Sequence, residues 1–195
     1  MEDIYGNHHD RMQATLDQLV SRVKMLREEM SRETEFDPIE HILARTKSDQ
    51  SMREKLRRRG LPETTESALF VMHDALGVRI VCGFLSDVYE MRNRIAAQTD
   101  FTVVEERDYI RHAKPNGYRS YHMILRSQEG YYVEVQLRTI SMDTWAALEH
   151  HLQYKKQHVG NQRLIVQELK RCADELASTD VSMQTIRDMI LNERD

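Results

Sequence analysis

Between residues 10 and 30 the apolar positions are Met12, Leu16, Leu19, Val20, Val23, Met25 and Leu26, set in a polar background. Steps of three and four place them on one stripe, which predicts an amphipathic helix. Pro38 breaks the pattern, and IEHILARTK behind it is a short apolar segment running into charge. DQSMREKLRRRG predicts a second helix, closed by Gly60 and carrying cations in its last turn. Pro62 stops any continuation, and PETTESALF reads as a short helix entering a loop. From Leu76 the period changes. LGVRIVC, apolar, β-branched and beside glycines, predicts a strand, and Ser86 can cap a helix over 87–98. FTVVEERDYI alternates like a strand. SYHMILR and YYVEVQLR are two more, separated by SQEG as in a hairpin. SMDTWAALEHHLQYKK opens a long helix capped by Ser141 or Asp143, with Trp145 and Leu148 on its core side. Gly160 interrupts it, and 161–178 and 181–192 predict two terminal helices. Strands interleaved with helices predict an α/β fold, a mixed β-sheet flanked by α-helices with helical N- and C-terminal extensions.

The chain has 195 residues, which suits one domain over 1–195 with a real core. The formal net charge is −4, so this is not a globally basic nucleic-acid binder, and an anion site must come from local clustering of Lys and Arg. Cys82 and Cys172 are the only cysteines and are far apart, against a disulfide framework or a zinc site. Reduced thiols fit a cytoplasmic protein. The N-terminal MEDIYGNHHDRMQ has no apolar core of a signal peptide, and no apolar run approaches the ~20 residues of a membrane span. No repeat or low-complexity tract is seen.

Neither GxxxxGK[ST] nor GxGxxG occurs, so any phosphates must be held by individual side chains. Arg45, Lys47, Arg53, Lys55, Arg57, Arg58 and Arg59 cluster, offset nearby only by Asp49 and Glu54. Ser51 and Lys55 are spaced i, i+4 on one helical face, with Arg45 and Lys47 just before it. The cluster is either a triphosphate clamp or a solvated cationic face. Asp74, ahead of LGVRIVC, is either a metal ligand or a cap. In YYVEVQLR, alternation puts Glu134, Gln136 and Arg138 on one face, where three polar groups need solvent or a site. Asp74 with Glu134 could hold one Mg²⁺ through oxygen ligands, polarising a phosphoryl group and positioning the attacking oxygen.

The loop RHAKPNGYRSYH (111–122) surrounds an Asn116-Gly117 turn. Gly117 permits positive φ and close backbone approach. Tyr118 could stack on a base, worth about 1–3 kcal/mol, with Lys114, Arg119 and His122 meeting its phosphates. The plain alternative is a turn whose tyrosine packs on the core. His9-Asp10 and His73-Asp74 suggest a metal phosphohydrolase, but the further His and Asp ligands are not evident. His150 and His151 on a helix point about 100° apart, a poor metal pair, with one partly exposed and the other facing the sheet.

RTKSDQSMREK (45–55), DALGVRIVC (74–82), RDYIRHAKPNGYRSYH (107–122) and VEVQLRTISMDTWAALEHHLQYK (133–155) together resemble the synthetase domain of the RelA/SpoT family. In length and layout the chain is similar to a stand-alone small alarmone synthetase, and the likeness spans about residues 10 to 180. The resemblance implies a nucleotidyltransferase-like synthetase domain with its catalytic core at about 38–155. It implies transfer of the β,γ-pyrophosphate of ATP to the 3′-OH of GDP or GTP, giving ppGpp or pppGpp and AMP. By the same resemblance Arg45, Lys47, Ser51, Lys55 and Arg79 contact ATP. Asp74 and Glu134 hold Mg²⁺, with Glu134 a candidate base. Tyr118 stacks on guanine, and Arg107, Lys114, His122 and Gln136 surround the acceptor, with Asp143 where some relatives bind nucleotide through Asn. It also implies a homotetramer and allows regulation by alarmone or RNA.

His112-Ala113 stands where many members have Asn-Pro, and Tyr121 where they have Leu. These changes touch the acceptor loop. The hydrolase domain of long family members does not fit this length. Adenine nucleotides or tRNA 3′ ends are the alternative acceptors, and a non-catalytic nucleotide- or RNA-binding regulator is the alternative of another class. Loss of Asp74 or Glu134 would favour the regulator, and both are present.

Overall fold

Five strands form one sheet in the order β1-β2-β5-β4-β3. They are β1 (Ile39–Thr46), β2 (Leu76–Cys82), β3 (Phe101–Asp108), β4 (Tyr121–Ser127) and β5 (Tyr132–Thr139). The helices are α1 (His9–Thr34), α2 (Asp49–Arg59), α3 (Leu85–Ala96), α4 (Ile140–Lys156) and α5 (Gln162–Asn192). This computed structural model describes residues 3–156 and 161–193. Strands β2 and β5 are parallel and the other pairs antiparallel, giving the mixed sheet expected from the interleaved pattern.

Helices α1 and α3 pack against the sheet. Met12, Leu16, Leu19 and Val23 of α1 and Val88, Met91 and Ile95 of α3 are buried in one cluster with alternate strand residues. These are Leu76, Val78 and Ile80, then Val133, Val135 and Leu137, then Met123 and Leu125. Each such side chain contributes about 1.5–3 kcal/mol on burial. Period-two alternation leaves the intervening residues of β2, β4 and β5 on the opposite face, where the cleft lies.

Four elements differ from the sequence expectation. IEHILARTK forms β1, an edge strand; a register shift between Ile39 and His41 breaks its alternation and hides the strand signal. Helix α3 begins at Leu85 with Phe84 in the capping position and no side-chain cap. The Ser86 hydroxyl instead accepts from Arg187 at 3.3 Å. Helix α4 begins at Ile140, and Thr139, rather than Ser141 or Asp143, accepts the free N–H of Met142 at 3.2 Å. Residues 161–178 and 181–192 do not form two helices, because α5 is continuous from Gln162 to Asn192. The Thr179 hydroxyl bonds back to the Glu175 carbonyl, and Asp180 accepts from the Thr139 hydroxyl at 2.6 Å, so neither residue caps a new helix. The break expected at Gly160 lies outside the described residues. Trp145 is buried, its indole N–H donating to the Leu169 carbonyl of α5 at 2.8 Å. Leu148, expected in the core, is 57% exposed.

Asp180 sets a pH dependence. Burial pushes its carboxyl above the ordinary carboxylate range, and hydrogen bonds from Thr139 and Ser141 offset this only in part. An acid whose pKa is raised by folding binds more protons in the folded state, so its contribution to stability falls as pH rises through that window. Asp180→Asn keeps an acceptor for Thr139 and carries no charge. Urea denaturation from pH 4 to 7 is expected to show the variant gaining on the parent as pH rises and then levelling off.

Candidate active site

The face of the sheet opposite α1 and α3 carries the polar residues, and strand register aligns them. Arg45 on β1 lies opposite Gly77 on β2, and Gly77 opposite Glu134 on β5. One row along, Arg79 lies opposite Gln136, Gln136 opposite His122 on β4, and His122 opposite Arg107 on β3. Gly77 contributes no side chain between Arg45 and Glu134. A cavity of about 110 Å³ opens there, lined by Leu43, Arg45, Gly77, Val78, Arg79, Glu134 and Gln136. Glu134 is shared with a cavity of about 200 Å³ that also touches Lys55, Asp74, Arg107 and His122. Arg45 and Arg79 are shared with a third, of about 520 Å³, that reaches Lys114, Tyr118, Arg138, His150 and His151. The three form one cleft across the sheet.

At one end, DQSMREKLRRRG forms the expected helix, α2. Ser48 caps α2, and Gly60 ends it in the left-handed conformation. Lys47, at the end of β1, and Lys55 on α2 both donate to Asp74 Oδ2, at 2.6 and 2.5 Å. Asp74 Oδ1 is buried and has no hydrogen-bond partner. Burial works against ionisation of Asp74, but the bonds from Lys47 and Lys55 outweigh it and hold its carboxyl below the usual range. Glu134 behaves alike. Burial is opposed by hydrogen bonding from His122 and from Gln136, and the carboxyl is net lowered although Asp74 pushes the other way. Two ionised carboxylates therefore border one cavity, and one oxygen is unsatisfied. That donor set fits a hard divalent cation that keeps water or phosphate oxygens as its other ligands. Among the described residues no three His, Cys, Asp or Glu side chains converge on one point.

At the other end, Gly117 has φ +94°, and a Cβ there would meet Ala173 Cβ at 2.6 Å. The glycine is needed for the turn and for the close approach of α5. Arg119, expected at the phosphates, instead anchors this loop, donating to the carbonyls of Gly117 and Ala173 and to Asp174 at 2.9 Å. Lys114 Nζ lies 4.6 Å from the Tyr109 ring centroid and 4.8 Å from that of Tyr118. The Tyr118 hydroxyl is 2.8 Å from His122 Nε2 and accepts from Arg138 at 2.7 Å. Tyr118 thus lines the cleft with its hydroxyl already held.

The cleft gathers Arg45, Lys55, Asp74, Arg79, Arg107, Lys114, Tyr118, His122, Glu134 and Gln136. Lys47 joins through Asp74. Arg107 is at its rim, 60% exposed and paired with Glu105. Ser51 stands apart; its hydroxyl is taken by Ser48 at the head of α2. The Asp143 carboxylate neutralises cations, with Arg138 at 3.0 Å and Arg79 at 3.2 Å. His150 and His151 are both exposed, so neither faces the sheet, and both line the largest cavity. Arg138 is the residue missed. Alternation had put it on the right face, but only the fold shows it touching Tyr118, Gln136 and Asp143.

A sequence profile described as the region found in RelA/SpoT proteins matches residues 44–159, more than half of the chain. The chain belongs to the RelA/SpoT family. Among curated members, the GTP pyrophosphokinase YwaC of Bacillus subtilis is 37% identical over 179 residues, 88% of this chain and 85% of its own. YjbM of the same organism is 34% identical over 180 residues, covering 88% and 83%. In structure the chain is similar to the small alarmone synthetase 1 from B. subtilis bound to its product pppGpp. The TM-score is 0.79 at 32% identity, over 92% of this chain and 94% of that one. Small alarmone synthetase 2 from the same organism gives 0.81 at 34%, over 94% and 98%. The RelA/SpoT profile runs from Ala44, near the end of β1, through β2 to β5 and α4, and takes in the two carboxylates and the tyrosine turn.

Proposed function

We propose that this RelA/SpoT protein transfers the β,γ-pyrophosphate of ATP to the 3′-OH of GDP or GTP, releasing AMP and making ppGpp or pppGpp. The observation that carries the reading is the pair of ionised carboxylates, Asp74 and Glu134, bordering one cavity between a cationic end and an aromatic end. Relatives named GTP pyrophosphokinase, and one solved with pppGpp, support it.

Both substrates are polyanions, so the cleft's cations do the binding. Arg45, Arg79, Lys47 and Lys55 hold the ATP, and Lys114 and Arg107 the acceptor phosphates. Tyr118 offers its ring to guanine, with His122 and Gln136 beside it. Asp74 and Glu134 would hold Mg²⁺, which when bound would offset the negative charge of the phosphates. Glu134 accepts the hydrogen bond of the 3′-hydroxyl as its oxygen attacks the β-phosphorus. A carboxylate below its usual range is a weak base, so it takes the proton late. Ser51 and Asp143 act indirectly, one through the head of α2 and the other by balancing Arg79 and Arg138.

Among the described residues no helix is long and apolar enough to cross a membrane. The reading places the protein in the cytoplasm with its nucleotides and as a homotetramer. Exposed Val181, Met183, Ile186, Met189 and Ile190 on α5 support self-association.

Protein incubated with Mg²⁺ and ATP plus, separately, GDP, GTP, no acceptor or tRNA is resolved by anion exchange. A guanosine tetra- or pentaphosphate matched by AMP is expected. AMP formed only with tRNA or with ATP alone would replace the acceptor assignment, and no AMP from any mixture, with product or short RNA added, would remove the transferase reading.

A further inference from the structure

Arg138 is 4% exposed and lies at the centre of the cleft's hydrogen bonding. Its Nη2 donates to the Tyr118 hydroxyl at 2.7 Å and to Gln136 Oε1 at 3.0 Å, and its Nη1 to Asp143 at 3.0 Å. A guanidinium has no acceptor, so it fixes the direction of every bond that starts from it. With its oxygen accepting from Arg138, the Tyr118 hydroxyl keeps its own proton free to donate to His122 Nε2, 2.8 Å away. A bond in that direction puts the proton of a neutral His122 ring on Nδ1, where Glu134 Oε1, 3.5 Å away, faces it. Along a second path, Gln136 must turn its carbonyl to Arg138, which aims its amide at Glu134 Oε2, 3.0 Å away. Two directed chains thus leave one arginine and end on the two oxygens of one carboxylate.

We propose that Arg138 is a positioning residue for the transfer. It sets the tautomer of His122, the amide orientation of Gln136 and the pose of the Tyr118 ring, and through them aims Glu134. This rests on the synthetase reading. Asp143 completes the device. It balances the buried guanidinium and is shared with Arg79, so the acceptor end and the ATP end are braced by one carboxylate.

Arg138→Met removes both chains and leaves Asp143 its bond to Arg79. Arg138→Lys keeps the charge without the planar fork that spans three acceptors. In Arg138→Met, kcat is expected to fall and KM for GDP to rise, each about tenfold, with KM for ATP nearly unchanged. Arg138→Lys should fall between Met and the parent. Tyr118→Phe should cost less in the Met background than in the parent, because the hydroxyl it removes is already undirected. By ¹⁵N NMR at alkaline pH, where the imidazole is neutral, His122 should be the Nδ1–H tautomer in the parent and a mixture in Arg138→Met. Parental His122 protonated on Nε2, or KM for both substrates rising together in step with a lost melting temperature, would overturn the assignment. GDP affinity by calorimetry separates this from the synthetase reading. Parent that binds GDP and shows the tautomer, but makes no product, sinks only the reaction. Parent that does not bind GDP sinks both.

Discussion

Glu134→Gln is expected to fold, to bind both nucleotides and to lose about a thousandfold in the rate of alarmone formation, within the range for removal of a positioned general base. The substitution is close to isosteric, and its remaining carbonyl can still accept from Gln136. What disappears is the negative charge that His122 and Gln136 hold ionised against burial. The measurement is single-turnover AMP release at saturating ATP and GDP, with affinities checked by calorimetry. A rate within about tenfold of the parent would remove Glu134 from the chemistry and leave Asp74 as the only carboxylate acting there.

The second large effect is far from the cleft. Arg187 on α5 donates to Asp87 on α3 at 2.6 Å, and the side chains are 4% and 5% exposed. The guanidinium also lies over the Phe84 and Phe36 rings, 4.6 and 5.2 Å from their centroids. Burial pushes the Asp87 carboxyl above its ordinary range, with Arg187 pulling back. Arg187→Met leaves that carboxylate buried without its cation, which costs about 3–5 kcal/mol. In a chain of this size the melting temperature should drop by about 10 °C. Asp87→Leu with Arg187→Met should recover most of the loss, because two apolar groups replace two charges. Calorimetry of the three variants checks this; a drop of only a degree or two in Arg187→Met would mean that water reaches the pair.

Strands marked by β-branched, apolar runs or by a tight turn between two of them were legible in the sequence. LGVRIVC became β2 with the bounds expected, and the hairpin of β4 and β5 followed from SQEG. The strand IEHILARTK was not, because its register shift and its exposed Leu43 blur the alternation. Cap signals misled where a tertiary partner took the side chain, as with Ser86 and Arg187 or Asp143 and Arg138. In the cleft, alternation on β5 placed Glu134, Gln136 and Arg138 together, and their strand neighbours Arg79 and His122 needed the register. The anchoring of Arg119 by α5 was out of reach, since it joins residues more than fifty positions apart. A lone arginine beside an Asn-Gly turn looks the same whether it meets a phosphate or a distant helix.

The RelA/SpoT profile ends at 159, before the first residue of α5. Yet the turn that carries Tyr118 rests on α5. Gly117 abuts Ala173, Arg119 is held by Ala173 and Asp174, and Trp145 is tied to Leu169. A fragment cut where the profile stops would keep both carboxylates and the tyrosine, and would lose the surface that shapes the turn between them. The working unit is therefore longer than the region the profile matches, and a mutation hunt confined to 44–159 would overlook the floor beneath the Tyr118 turn.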